Sequence, residues 1–234
     1  MTAMTLIFLG FMLGLRHAME ADHVAAVASL AVGEQSLLRV AGRAAWWGCG
    51  HTLTLFCAAT VVLVAGIPLP SGFDWWFELL VAVMLVVLGG DVIRRAIRDR
   101  IHVHTHSHAD GRVHWHAHSH AAARRTHAHR HGPVKPLVVG MVHGLAGSAA
   151  LLLLVLDRLG GDSWLLGLTY VLMVGIGSIV GMACLSLVIA VPFRFGSPSL
   201  HWQTALGAVV GLVTVSIGFW LLWHLLPYAG PISA

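Results

Sequence analysis

Five ionisable side chains fall within eight consecutive positions of an otherwise apolar stretch near the start of the chain. Residues 16–23 read RHAMEADH, so His17 and His23 flank Glu20 and Asp22. Such groups are unfavourable in hydrocarbon, since one Arg or Asp at the centre of a membrane helix costs about 2.5–3.5 kcal/mol on insertion scales. Two imidazoles beside two carboxylates suit a borderline divalent transition metal better than Mg²⁺ or Ca²⁺. We therefore expect this cluster to handle a metal ion. The alternative is a self-neutralised network, with the arginine paired to a carboxylate, that only ties helices together.

Helix geometry restricts how these residues could act together. At about 100° per residue, His17 and Glu20 lie about 60° apart around a regular helix, whereas Asp22 lies about 140° from His17. A regular helix therefore cannot direct all of them at one ion. Either the helix unwinds here, with Gly10 and Gly14 upstream assisting, or Asp22 orients a histidine on a neighbouring span.

Two further histidines lie well inside apolar stretches. A lone buried histidine is more often a hydrogen-bonding core residue than a ligand, but the company of the first cluster favours His51 as a ligand and leaves His143 open between the two roles. His224, near the end of the last apolar stretch, is expected to be an interfacial residue. The predicted metal ligands are His17, Asp22, His23 and His51, and the candidates for a ligand or for a partner of a ligand are Glu20 and His143.

A histidine-rich segment separates the two halves of the chain. Residues 101–131 contain 11 of the 17 histidines, most of them two positions apart. An extended chain places alternate residues on one side, so pairs of imidazoles could grasp an ion there. We expect a disordered cytoplasmic loop that collects or buffers metal with little selectivity, and a non-binding spacer is the alternative. These histidines are His102, His104, His106, His108, His114, His116, His118, His120, His127, His129 and His131.

Composition identifies the solvent of this chain as lipid. Of its 234 residues, 57% are hydrophobic and 10% are charged, against about 25% charged in soluble domains. Apolar runs of about 20 residues, enough to cross a bilayer as helix, recur along the chain. The predicted fold is an all-α integral membrane protein with about six transmembrane helices. Their approximate limits are 4–32, 44–67, 75–95, 136–157, 163–192 and 203–226.

The chain divides into residues 1–100, a first three-helix half, 101–135, the histidine-rich loop, and 136–234, a second three-helix half. A weak echo links the halves. Residues 14–17 resemble 140–143, since both begin with a glycine three positions before a histidine, and residues 48–51 (GCGH) resemble 175–178 (GIGS). Three spans separate the starting points of the halves, so they would form inverted repeats, as in many transporters. Chance matching of glycine-rich helices that pack closely in lipid is the alternative.

The positive charges predict the orientation. All but two of the 14 Lys and Arg residues lie in the loops after the first, third and fifth spans; the exceptions are Arg16 and Arg158. By the positive-inside rule, both termini face outward and the histidine-rich loop faces the cytoplasm. This bias also explains the basic character of the chain, so no nucleic acid is expected as a partner. The three cysteines lie in apolar spans and form no disulfide pattern.

Two motifs resemble a known family. The pattern His17-x4-Asp22-His23 resembles the signature of the nickel/cobalt transporter (NiCoT) superfamily, and residues 50–52, Gly-His-Thr, resemble its next motif. The resemblance implies secondary transport of Ni²⁺ or Co²⁺ that needs the signature residues. Glu20 stands where the typical signature has Asp. The later Asp-Thr-x-Thr-Glu type motif is missing, and residues 143–150 instead resemble the six-span branch related to urease- and hydrogenase-associated nickel permeases.

The leading hypothesis is a secondary transporter, not an enzyme, that takes up Ni²⁺ or Co²⁺ across the cytoplasmic (inner) membrane. No Walker A motif is present, which argues against ATP hydrolysis in this chain. The expected partners are the divalent ion, the lipid bilayer and, as a candidate, a cytoplasmic metallochaperone; no prosthetic group is expected, and the oligomeric state is left open. A cytoplasmic histidine loop would equally suit an efflux protein for metal resistance. A membrane b-type haem protein and a non-transporting metal sensor are the alternatives of another class.

Overall fold

The computed structural model describes residues 3–34, 36–66, 72–98, 103–107, 113–117, 134–144, 164–195 and 200–228. Outside one short hairpin, these residues form helices. The helices are α1 (Ala3–His17), α2 (Ala21–Ala31), α3 (Leu37–Ala65), α4 (Phe73–Arg98), α5 (Val134–His143), α6 (Trp164–Phe195) and α7 (Leu200–Leu225), followed by a single 3-10 turn at Leu226–Tyr228.

The long apolar helices confirm the predicted class, an all-helical membrane protein. Within the described residues, four helices (α3, α4, α6 and α7) are long and apolar enough to cross a bilayer, and a fifth span results if α1 and α2 count as one bent helix. They correspond to the predicted first, second, third, fifth and sixth spans. The predicted fourth span, 136–157, begins in α5 and otherwise lies outside the described residues.

The first span is broken where its ionisable residues cluster. Helix α1 ends at His17, α2 begins at Ala21, and their axes differ by 62°. Glu20 precedes α2 with an extended backbone, φ −65° and ψ 147°. Gly10 and Gly14 lie inside the regular part of α1, where they let another helix approach, and their assistance to the unwinding stays a prediction. The break follows them by three residues or more.

Glycine contacts set the directions of the paired helices. A Cβ on Gly10 would lie 3.0 Å from the Tyr170 ring, and one on Gly181 would lie 2.7 Å from Ala18, so α1 and α6 run parallel. In α3 and α5, Gly140 faces Trp47 and Gly144 faces His51, so this pair is parallel too. Small residues at such crossings let helix backbones come close, which is how helices associate in lipid.

The remaining long contacts are antiparallel. Gly48 of α3 faces Ile179 of α6, and Thr52 Oγ1 donates to the Gly175 carbonyl at 3.2 Å. Helices α4 and α7 cross at Gly89 and Gly211, each of which faces the other's carbonyl oxygen. The bundle therefore has α3 and α6 at its centre, with α1 on one side and α5 on the other.

Polar residues order the connection between α2 and α3. Glu34 accepts hydrogen bonds from Arg39 and Arg43, each at 3.0 Å, and Arg43 also donates to the Leu30 carbonyl at 3.3 Å. Ser36 caps the N-terminus of α3 by accepting from the Arg39 amide at 3.4 Å. These contacts fasten the end of α2 to the start of α3.

Part of the histidine-rich loop has regular structure. Strands β1 (Val103–Ser107) and β2 (Val113–Ala117) pair antiparallel, with His104 opposite His116 and His106 opposite His114. The alternating pattern of the sequence suits such a hairpin, and disorder of the loop as a whole stays a prediction. The other predicted loop histidines, at positions 102, 108, 118, 120, 127, 129 and 131, lie outside the described residues.

Candidate metal centre

Four imidazoles from four helices meet inside the bundle. His17 closes α1, His23 lies in the first turn of α2, His51 is in α3, and His143 closes α5. All four are buried, with 7% or less of each residue exposed. The ring centroid of His23 lies 4.2 Å from that of His17 and 4.1 Å from that of His143. The structure thus brings together the three histidines predicted as ligands and His143, whose role the sequence left open.

The cluster lies at the middle of the bundle. His51 is the central residue of α3, which runs from Leu37 to Ala65, so at 1.5 Å per residue it lies about 21 Å from either end. Its ring centroid is 5.1 Å from that of His17 and 5.3 Å from that of His23. Substrate sites of transporters built from paired halves lie at this depth.

Asp22 connects two of these histidines. Because a carboxylate only accepts hydrogen bonds, His23 Nδ1 donates to Asp22 Oδ1 at 3.0 Å and His143 Nε2 donates to Asp22 Oδ2 at 2.9 Å. The His23 backbone amide adds a third bond, at 2.9 Å. Both alternatives considered for the first span therefore occur together, since the helix breaks and Asp22 also holds a histidine of another helix. Carboxylates that hold imidazoles in this way orient metal ligands in many sites.

Several ring nitrogens in the cluster lack a protein partner. In the described part of the chain, His23 Nε2, His143 Nδ1 and both nitrogens of His51 are buried without a hydrogen bond. A buried polar atom left unpaired costs about 1–3 kcal/mol, so these atoms are suited to an additional polar or metal partner. Two groups have ligand atoms within 4.8 Å of one another: His17, His23 and His51, and Asp22, His23 and His143.

Glu20 contacts a histidine at the edge of the cluster. Its Oε2 lies 3.0 Å from His17 Nδ1, and its side chain is 51% exposed. Within the described residues neither Glu20 nor Asp22 pairs with Arg16, which is exposed. The carboxylates thus face imidazoles, not the arginine of the self-neutralised alternative.

Helix ends add to the electrostatics of the centre. Both α1 and α5 have a cluster histidine as their last residue. The C-terminus of a helix carries a partial negative charge of about half an electron, from carbonyl groups without intrahelical partners. The N-terminus of α2, whose first turn holds Asp22 and His23, carries the opposite partial charge and offsets part of this effect.

Trp47 is a residue of the centre that sequence reasoning missed. It is fully buried, and its ring lies 5.4 Å from that of His23 and 5.3 Å from that of His143. It precedes His51 by four residues, so both occupy one face of α3. That spacing, a tryptophan one turn before an intramembrane histidine, is the signal that could have found it.

His224 lies outside this centre. It is near the end of α7, where its Nδ1 donates to the Trp220 carbonyl at 3.0 Å and its ring packs on that of Trp220. The position is that of an ordinary helix-end histidine, which makes it a useful control residue.

Fold and site define an all-helical, multi-pass membrane protein with a buried histidine and aspartate centre. No family model matches the chain, and no solved structure matches it significantly. The chain is 30% identical over 231 residues to the urease accessory protein UreH of Bacillus sp. (strain TB-90), an alignment that covers 95% of this chain and 92% of that protein. The chain therefore belongs to the family of that protein.

Proposed function

We propose that the chain is a secondary transporter that carries Ni²⁺ or Co²⁺ inward across the cytoplasmic membrane. The observation that carries this proposal is the meeting of four buried imidazoles with Asp22 at mid-depth of the bundle. Imidazole suits nickel and cobalt, whereas sites for Mg²⁺ and Ca²⁺ are built from oxygen. The proposed ligands are His17, His23 and His51, with Asp22 and His143 as ligands or as partners that orient them. The name of the related urease accessory protein supports the choice of nickel, because urease is an enzyme that requires nickel.

Inverted repeats would supply the conformational change. If residues 14–17 correspond to 140–143 and 48–50 to 175–177, then Val174 corresponds to Trp47 and Phe11 to Leu137. A Cβ on Gly14 would overlap the carbonyl oxygen of Val174, and one on Gly140 would overlap that of Trp47.

A second pair of contacts repeats the first. A Cβ on Gly50 would overlap the carbonyl oxygen of Leu137, and one on Gly177 would overlap that of Phe11. Each contact thus has a counterpart under the same correspondence, which supports two halves of opposite topology with the metal centre between them. Rocking of one half against the other would then open the centre to either side in turn.

The charges at the helix ends support the proposed orientation. Arg39 and Arg43 stand at the start of α3, and Arg94, Arg95 and Arg98 stand at the end of α4. We propose that these ends face the cytoplasm together with the histidine-rich loop, and that both termini face outward. The loop would collect metal on the cytoplasmic side, where a metallochaperone could receive it. Within the nickel/cobalt transporter superfamily, we assign this chain to the six-span branch.

Efflux is the second candidate function, because a metal-collecting loop in the cytoplasm would also suit a protein that gathers excess ions. Direction separates the two. In cells that express the protein, uptake predicts more accumulated radioactive nickel than in cells with the empty vector, and efflux predicts less.

Purified protein in liposomes tests transport itself. Nickel-loaded buffer outside and a metal-sensitive dye inside should report flux for the native chain. His17→Ala should abolish the flux, whereas His224→Ala, which removes a histidine from the end of α7, should keep it. Flux that survives His17→Ala, or no flux from folded native protein, would refute the proposal.

A further inference from the structure

We propose that the metal centre is a relay of two overlapping stations: an outer station of Asp22, His23 and His143, and an inner station of His17, His23 and His51, with His23 shared. This inference rests on the proposed transport function and deepens it. It assigns an order to residues that would otherwise form one undivided site.

The two nitrogens of His23 face different groups. Its Nδ1 lies 3.0 Å from Asp22 Oδ1, on the side of His143, whereas its Nε2 is buried without a protein partner in the described chain. The His23 ring lies between those of His17 and His143, with T-shaped contacts to both. Nε2 is thus open to the inner set of ligands, whereas Nδ1 joins the outer set only after it loses the proton that it donates to Asp22.

The two stations are different sets of ligand atoms in the described structure. No set of atoms within 4.8 Å of one another contains both His51 and His143, and the two sets share only His23. Two divalent cations in adjacent stations would repel each other strongly at low dielectric. A single ion therefore occupies one station at a time, and it moves by exchanging ligands around His23.

A cavity determines which station is the outer one. A space of about 420 Å³ between α2 and α7 is lined by Ala21, Asp22, Ile217, Trp220 and Leu221. Among these described lining residues, Asp22 is the only ionisable one, and its side chain is 23% exposed. Asp22 is a residue of the outer station, and no residue of the inner station is among the described residues that line this cavity, so the outer station is the one next to it.

The cavity lies toward the end of α7 that we place outside. Trp220 and Leu221 are about one turn from Leu225, whose carbonyl accepts a hydrogen bond from Trp75 Nε1 at the start of α4, at 3.2 Å. In the proposed orientation the start of α4 is the extracellular end. The relay then runs from the outer station to the inner one during uptake, toward the fully buried His51.

Co²⁺ titration of the purified full-length protein tests the relay, because the visible absorption of Co²⁺ reports its ligands. His51→Ala removes only the inner station, and His143→Ala removes only the outer one. Beyond the Co²⁺ held by the loop histidines, each variant should still bind one Co²⁺ at the centre, with an apparent Kd for that ion raised by about twofold if the stations bind equally, and the spectra of the two centres should differ. The double variant and His23→Ala should lose the Co²⁺ of the centre and keep only the Co²⁺ bound by the loop, and His224→Ala should match the native protein.

A cysteine in the cavity tests the order. In a variant whose native cysteines are replaced by serine, Leu221→Cys should react with a membrane-impermeant thiol reagent added outside. Ni²⁺ should slow this reaction when His51→Ala is also present, since the outer station remains. It should not slow the reaction when His143→Ala is present.

The failure of the relay can be told apart from the failure of transport. If His51→Ala and His143→Ala each abolish Co²⁺ binding while the native protein moves nickel into liposomes, the site is a single one and the relay is wrong. If the native protein moves no metal, the transport proposal fails, and the spectra still decide whether two stations exist. Should an alanine variant not fold, as judged by gel filtration, His51→Asn and His143→Asn provide the same comparison at similar side-chain volume.

Discussion

Replacing Asp22 by asparagine should weaken metal binding by an amount that follows from its two hydrogen bonds. The two carboxylate oxygens accept from His23 Nδ1 and His143 Nε2 at 3.0 and 2.9 Å. Asparagine offers one oxygen and one NH₂ group, so only one imidazole keeps an acceptor. Loss of one such orienting contact lowers metal affinity by about 10- to 100-fold, which corresponds to about 1.4–2.7 kcal/mol. Asp22→Ala removes both contacts and should bind more weakly still.

Asp91→Asn is the matched control for this change. Asp91 has nearly the same side-chain exposure as Asp22, 26% against 23%, but it pairs with Arg94 and Arg95 near the end of α4. Equilibrium binding of Ni²⁺ to detergent-purified protein provides the measurement. Affinity should fall in the order native, Asp22→Asn, Asp22→Ala, with Asp91→Asn equal to native. Native affinity in Asp22→Asn, or an equal loss in Asp91→Asn, would refute the role assigned to the carboxylate.

Three further changes separate the centre from its surroundings. Glu20→Ala should weaken Ni²⁺ binding less than Asp22→Ala, because the contact of Glu20 with a ligand histidine is half exposed to solvent; an equal loss in the same binding assay would contradict this. Gly140→Ala places a Cβ onto a backbone carbonyl of α3 and should destabilise the fold by about 1–3 kcal/mol. Gly42→Ala, whose Cβ would have nothing within 4 Å, should be neutral or should stabilise the fold by up to about 1 kcal/mol. Thermal unfolding of the two variants in detergent provides the comparison. Deletion of residues 101–131 should leave nickel flux at saturating metal unchanged and lower the number of Ni²⁺ ions bound per chain, since the loop is separate from the centre in sequence; complete loss of flux in a folded deletion variant would show that it is essential.

The order of the spans and the position of the ionisable cluster are local properties of the chain, which is why sequence reasoning reached them. A hydrocarbon layer requires an apolar run of a certain length, and such runs can be read directly, as α3, α4, α6 and α7 show. Charged groups at that depth need a partner wherever they occur, so residues 16–23 indicated a functional centre without knowledge of their neighbours.

Which helices adjoin was decided by tertiary structure alone. In lipid both faces of a helix are apolar, so hydrophobic periodicity does not identify the neighbour, and close glycine contacts set the packing instead. The bond from His143 to Asp22 joins residues 121 positions apart, and Trp47 reaches the centre for the same reason. The break after His17 also depends on the bundle, because it turns α2 toward α7. The sequence by itself therefore determined a membrane protein with a candidate metal-handling segment, and only the packing of the helices determined which side chains surround it.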